Sequence, residues 1–275
     1  MTAWICALSI MASVPTGIAL PEGLASYALT CVTVTSIQRG PDYFKYTFGN
    51  GFLASCPDSS GGLHYFALTA AHVLAGYDEI EVTIRSPGLD RGMGRIVMTL
   101  GPGPGVVYFP QGGSVDAVAI RLDEVLDRNA EARDVVALSA LPSGALAASA
   151  GVREGDSLFC LVRPVDPILW YSVGEIRCVG GRVMPRRPEE RDPFVDLEAR
   201  RGYSGSLMLR PVGPSGDSTV VEGMLVAMCV EVVDPFLDPS NWHFVDPCGS
   251  DQVFAELVPI SEILGILRPA ALASL

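Results

Sequence analysis

The sequence predicts an all-β protein built from two strand-rich halves. Three observations carry this expectation. The 29 glycines and 21 prolines punctuate short apolar runs, the runs are rich in Val, Ile, Leu and aromatics as strands are, and a stretch of different character divides the chain near its middle. With 275 residues, 49% of them hydrophobic, and a mean hydropathy of +0.34, the chain can bury a large core. A disordered class is excluded.

The first 20 residues, MTAWICALSIMASVPTGIAL, are apolar and uncharged. No Lys or Arg precedes the run and no clean A-x-A site follows it, so the pattern of a secretory leader is incomplete. Ser9, Ser13, Pro15, Thr16 and Gly17 interrupt it short of the roughly 20 apolar residues that a membrane span requires. Residues 1–24 are therefore set apart as an apolar segment, either a leader or an extension packed on the fold. A cleaved leader would imply secretion; without one, a cytoplasmic location is favoured.

From Tyr27 onward the chain reads as successive strands: Tyr27 to Ser36, Tyr43 to Phe48, Gly51 to Cys56, Tyr65 to Thr69, Ile80 to Arg85, Arg95 to Leu100 and Val115 to Arg121. Gly, Pro, Asp or Asn fills most of the gaps. Residues 122–156 break the pattern with EVLDRNAEARD and SALPSGALAASAGVREGD, a connector between two halves. A second series follows: Ser157 to Val162, Trp170 to Val179, Arg182 to Met184, Phe194 to Leu197, Ser206 to Arg210, Thr219 to Val233 with a turn, and Gln252 to Val258. Near the end, Ile260, Ile263, Leu264 and Leu267 share one helical face, with Ser261 placed to cap it. The predicted domains are an N-terminal barrel over 25–130 and a C-terminal barrel with a terminal helix over 131–275.

The net charge of −12 and the isoelectric point near 4.6 oppose binding to phosphate backbones or anionic lipid. Nucleic acid and membrane are not expected partners. The one basic cluster, Arg182 to Arg191, contains Glu189 and Glu190 and reads as a solvated loop. The seven cysteines, at 6, 31, 56, 160, 178, 229 and 248, form no CxxC pair. Neither a zinc ribbon nor a thioredoxin-like motif has support, and no metal or cofactor is expected. Most of these thiols sit in apolar runs, where a free cysteine behaves as a small hydrophobe.

The chemistry rests on an ordered trio. His72 ends Thr69-Ala70-Ala71-His72, Asp116 opens Asp116-Ala117-Val118-Ala119-Ile120, and Ser204 lies inside Gly202-Tyr203-Ser204-Gly205-Ser206. Together such side chains make an activated hydroxyl: Ser supplies the oxygen, His takes its proton, and Asp holds the imidazole in one tautomer. The order His, Asp, Ser departs from the Ser, Asp, His of α/β-hydrolases and the Asp, His, Ser of the subtilisin type, leaving the chymotrypsin-like order. Each residue also has an ordinary reading: a packed histidine, a strand-edge aspartate, a turn serine.

These residues resemble the trypsin-like, chymotrypsin-fold serine peptidases, especially the disulfide-poor bacterial type related to HtrA proteases. Gly49-Asn50-Gly51-Phe52-Leu53 is similar to that family's "GSGFL" strand. His72 lies in LTAAHVL, Asp116 in VDAVAIRL, Ser204 in GYSGSLML, and LVPISEIL looks like the family's C-terminal helix. The resemblance runs from about Tyr27 to the chain's end. It implies two six-stranded antiparallel barrels, no cofactor, and hydrolysis of a protein or peptide substrate through an acyl-enzyme. The N–H groups of Gly202 and Ser204 would form the oxyanion hole, and Glu198, Met224, Leu225 and Val226 would line the substrate pocket. Aliphatic residues 224 to 227 favour small or medium apolar side chains, whereas Glu198 would favour Arg or Lys.

Two departures bear on regulation. Tyr203 stands where digestive-type enzymes carry an aspartate that receives a newly cut N-terminus, so activation by N-terminal cleavage is not expected. Val73, in place of a cysteine after the histidine, removes a bracing disulfide. Both point to the HtrA-like branch, and no PDZ module is expected before the chain closes at Leu275. The sequence leaves the oligomeric state open. A different enzyme class, the α/β-hydrolase esterase, needs Gly-x-Ser-x-Gly and finds Ser206 in the last position. The alternative from outside enzymology is a peptide-binding adaptor with a peptidase fold and no turnover.

Overall fold

The computed structural model describes residues 24–41, 44–85, 95–101, 103, 105–110, 115–163, 165–166, 171–172, 176–185, 192–197, 199, 202–212, 218–229 and 253–273. The N-terminal segment through residue 23, Glu198, Cys6 and Cys248 lie outside them. So does most of the basic cluster ending at Arg191.

After a short helix, Ala25–Ala28, the first half lays down β1 (Cys31–Arg39), β2 (Phe44–Pro57), β3 (Leu63–Thr69), β4 (Glu79–Arg85), β5 (Arg95–Leu100), β6 (Val107–Tyr108) and β7 (Val118–Arg121). They pair in the order β5-β4-β1-β2-β3-β7-β6. The two-residue strand β8 (Leu141–Pro142) adds to β2 in parallel, making an eight-stranded sheet. The second half supplies β9 (Ser157–Val162), the small pair β10 (Val165–Asp166) and β11 (Tyr171–Ser172), then β12 (Arg177–Val183), β13 (Phe194–Asp196), β14 (Leu207–Val212), β15 (Ser218–Cys229) and β16 (Val253–Pro259). Six of these close into a barrel in the order β12-β13-β16-β15-β14-β9. All ladders within the barrel are antiparallel.

Some boundaries differ from expectation for physical reasons. Tyr27 falls in the opening helix, where its carbonyl accepts the Thr30 hydroxyl at 2.8 Å, and β1 begins four residues later. The two strands expected on either side of Gly49-Asn50 are one 14-residue strand, because the pairing of β1 with β2 continues through both residues. Within the run from Trp170 to Val179, the described residues Tyr171–Ser172 form β11 and those from Arg177 belong to β12. The connector folds into three short helices, Asp123–Asp127, Ala130–Ser139 and Ser143–Leu146. The Asn129 side chain caps the middle one by accepting from the Ala132 N–H at 3.0 Å, satisfying one otherwise unpaired donor.

The terminal helix spans Ile260–Leu272. It starts one residue before Ser261, so Pro259 occupies the capping position without a side-chain hydrogen bond and the expected Ser261 cap is replaced. Its apolar face is as the spacing predicts: Ile260, Ile263, Leu264 and Leu267 are all buried. They join a core cluster containing Phe52, Phe66, Ile120 and Leu207, which draws on both halves. A second cluster, with Leu158, Cys160, Met208, Leu225 and Leu257, fills the closed barrel. Among the described residues, Cys31, Cys56, Cys160 and Cys178 are free thiols, and no helix is long and apolar enough to cross a membrane.

Candidate active site

His72 sits in a single 3-10 turn, Ala71–Leu74, directly after β3. Val73 and Leu74 are buried, and the Ser36 hydroxyl donates to the Val73 carbonyl at 2.6 Å. Burying the two aliphatic residues turns His72 the other way, with its side chain 45% exposed.

Asp116 precedes β7 between buried Val115 and Ala117. Its carboxylate grips the histidine twice. Oδ1 accepts the His72 backbone N–H at 2.9 Å, and Oδ2 lies 2.5 Å from Nδ1. A ring nitrogen this close to a carboxylate oxygen carries the proton, leaving Nε2 as the basic nitrogen. Partial burial alone would raise the Asp116 pKa, but the His72 hydrogen bonds and charge, with an N–H from Ala71, outweigh it. The carboxyl is held below its ordinary value.

Ser204 lies in the turn between β13 and β14 and is 5% exposed. Backbone bonds pin that turn from three sides: Gly205 N–H donates to Leu225 at 2.8 Å, Ser206 N–H to Tyr203 at 3.0 Å, and Asn50 N–H to the Ser204 carbonyl at 2.7 Å. Gly205 adopts φ +91°, and a Cβ there would stand 1.8 Å from the Asn50 carbonyl oxygen. Glycine alone fits so close an approach. Gly202 also has a positive φ, of +80°.

The histidine and serine segments converge on one residue of β2. A Cβ on Gly49 would lie 2.5 Å from the Val73 side chain and 3.0 Å from the Ser204 carbonyl oxygen. The absence of a side chain at Gly49 thus lets the residue after His72 and the serine turn meet across one strand. Asp116 and His72, 44 positions apart, are in direct hydrogen-bond contact, and the Val73 side chain and the Ser204 carbonyl both approach Gly49 of β2.

Met224, Leu225 and Val226 lie on β15, beside the serine turn, at 0 to 1% exposure. Met224 and Val226 point into the shared core and Leu225 into the barrel. The strand meets the serine turn through its backbone, with Leu225 accepting from Gly205 and donating to Ser206 at 2.8 Å each. Tyr203 is buried at 7% exposure. The second described histidine, His64, lies apart, between Asp123 at 2.7 Å and Asp58 at 3.2 Å, with the Arg121 guanidinium alongside. No cluster of metal-ligating side chains occurs among the described residues.

The residue that sequence reasoning left without a role is Asn50. It is 0% exposed. Its Nδ2 donates to the carbonyls of Gly202 at 2.5 Å and Arg163 at 3.0 Å, and its Oδ1 accepts the Arg163 N–H at 2.6 Å. An asparagine between two glycines in a strand is the signal that was available, since that composition ordinarily marks a turn. Its partners are 113 and 152 residues away, beyond the reach of local pattern.

No family model and no curated protein matches the sequence. Among 170 matching solved chains is a crystal structure of the Rv3671c protease from M. tuberculosis in its active form. It aligns with a TM-score of 0.52 at 16% identity, covering 92% of this chain and 86% of that one. With the closed six-stranded barrel, the second sheet and the terminal helix, the chain has the fold of the chymotrypsin-like double barrel.

Proposed function

We propose that this chain is a serine endopeptidase that cleaves peptide bonds through an acyl-enzyme on Ser204. The observation that carries the reading is the double grip of Asp116 on His72 with the serine turn anchored across Gly49. In this reading His72 Nε2 takes the Ser204 proton as Oγ attacks the substrate carbonyl. The developing imidazolium is stabilised by the Asp116 carboxylate, which keeps its own charge. The N–H groups of Gly202 and Ser204 receive the oxyanion, and the His72 proton passes to the leaving amine. Water then repeats the sequence on the ester. Residues 25–130 supply the base and its orienting acid, and 131–275 the nucleophile, with substrate entering beside Glu198 and β15. On this reading the enzyme is of the HtrA-related type, active without a cut N-terminus, which Tyr203 and Val73 support.

A fluorophosphonate probe tests this directly. Covalent labelling of the wild type that disappears in Ser204→Ala is the expected result. Folded protein that takes no label anywhere between about pH 6 and 9, where a histidine base becomes neutral, would refute the enzyme and leave the peptide-binding adaptor.

A further inference from the structure

We propose that Asn50 is the positioning residue of the oxyanion hole, a carboxamide that sets the orientation of the Ser204 N–H from across the two halves of the molecule. The proposal rests on the serine-peptidase reading above. The Ser204 N–H belongs to the peptide plane between Tyr203 and Ser204. Asn50 holds the planes on either side of it: its Nδ2 grips the Gly202 carbonyl at 2.5 Å, and its backbone N–H grips the Ser204 carbonyl at 2.7 Å. The middle plane is held by the Ser206 N–H on the Tyr203 carbonyl at 3.0 Å. Asn50 therefore holds both planes flanking the one that would stabilise the oxyanion, one through its side chain and one through its backbone.

The chemistry at this position is narrow. Two donors and one acceptor are all engaged, with Gly202 and Arg163 carbonyls facing Nδ2 and the Arg163 N–H facing Oδ1. The opposite amide orientation would aim Oδ1 at two carbonyl oxygens, so the network itself assigns the flip. An aspartate has the same shape and lacks both donors, and a serine offers only one. The backbone of Asn50 is fixed in turn: its carbonyl accepts the buried Thr69 hydroxyl at 2.6 Å, three residues ahead of His72. One residue thus ties the strand leading to the base to the turn carrying the nucleophile.

Asn50→Ala and the isosteric Asn50→Asp test the role. Stopped-flow acylation by p-nitrophenyl acetate is expected to slow about 10²-fold in each, the cost typical of a misplaced or lost oxyanion donor. KM for the ester should stay within about threefold, as when an interaction is made only in the transition state. Affinity for phenylboronic acid, a tetrahedral mimic, should fall with the acylation rate. A merely structural role would leave the boronate and KM readouts moving together. If an active wild type is matched within about threefold by both variants, or if neither variant retains a cooperative melting transition, the positioning role is overturned. If the wild type neither hydrolyses the ester nor takes the fluorophosphonate, the peptidase reading falls first.

Discussion

Replacing Gly205 by alanine tests how tightly the serine turn is seated on β2. At φ +91° an alanine bears roughly 1–2 kcal/mol of left-handed backbone strain. Its Cβ would also lie 1.8 Å from the Asn50 carbonyl oxygen and 2.7 Å from the Thr69 hydroxyl. Real Cβ contacts do not close below 3.0 Å, so one partner must retreat by at least 1.2 Å (3.0 − 1.8 Å). Such a shift breaks the Thr69 hydroxyl to Asn50 carbonyl bond at 2.6 Å and the Asn50 N–H to Ser204 carbonyl bond at 2.7 Å. Buried groups left unpaired cost about 1–3 kcal/mol each, so the total loss is at least about 3 kcal/mol. Gly151 separates strain from collision, for it has φ +85° with nothing within 4 Å of an added Cβ. Gly151→Ala should lose only about 1 kcal/mol, the strain partly offset by reduced unfolded-state entropy. Urea titration followed by far-ultraviolet circular dichroism gives both values. A Gly205→Ala protein within about 1 kcal/mol of Gly151→Ala would show that the turn does not press on Asn50 as described.

Asp116→Asn should preserve the melting transition while turnover falls about 10⁴-fold, because an amide that donates to Nδ1 selects the wrong imidazole tautomer; near-full activity would show that another acid orients His72. Asp58 gives an acid-range prediction. The Ser60 hydroxyl, assisted by the N–H groups of Ser60 and Gly62 and by His64, lowers this carboxyl to about 2, against about 3.9 in an unfolded chain. A folded pKa below the unfolded one stabilises fully above the unfolded value and is lost as pH falls toward the folded one. The stability gap between wild type and Asp58→Asn should therefore be present at neutral pH and close between about pH 4 and 2. Urea midpoints measured at both ends check it, and a gap independent of pH would refute the hydrogen-bonded turn.

The parts of this architecture legible in the sequence are those carried by local pattern. Arg95–Leu100 and Ser157–Val162 match their expected bounds because short apolar runs are bordered there by turn residues such as Gly94, Gly101, Asp156 and Pro164, and Ile260, Ile263, Leu264 and Leu267 declare their shared face through 3.6-residue spacing. The choice of Asp116 as the partner of His72 was legible because no other Asp in the interval before Ser204 opens an apolar strand so cleanly. What remained hidden is non-local. Gly49-Asn50-Gly51 looks like a turn, yet its backbone stays in the β1 ladder because each glycine admits a neighbouring segment and Asn50 finds partners in the other half. Ser261 looked like a cap because pattern cannot register that β16 runs into the helix through Pro259. His64 gave no sign of its environment, as Asp58, Arg121 and Asp123 are gathered around it by β3 and β7.

The terminal helix also orders events in time. Arg121, 5% exposed, donates through Nη1 to the Ala273 carbonyl at 2.8 Å, and helix residues from Ile260 to Ala271 complete the core that Phe52, Phe66 and Ile120 begin. On a ribosome moving at about 5–20 residues per second, the 139 positions from Arg121 to Ile260 (260 − 121) take about 7–28 s to follow. Throughout that interval strands β1 to β7 are translated but lack their last wall. Over that interval the nascent first half exposes an apolar face, a natural stage for chaperone capture, and the core around Phe52, on the strand that presents Asn50 to the serine turn, closes only once residues 260–271 are made.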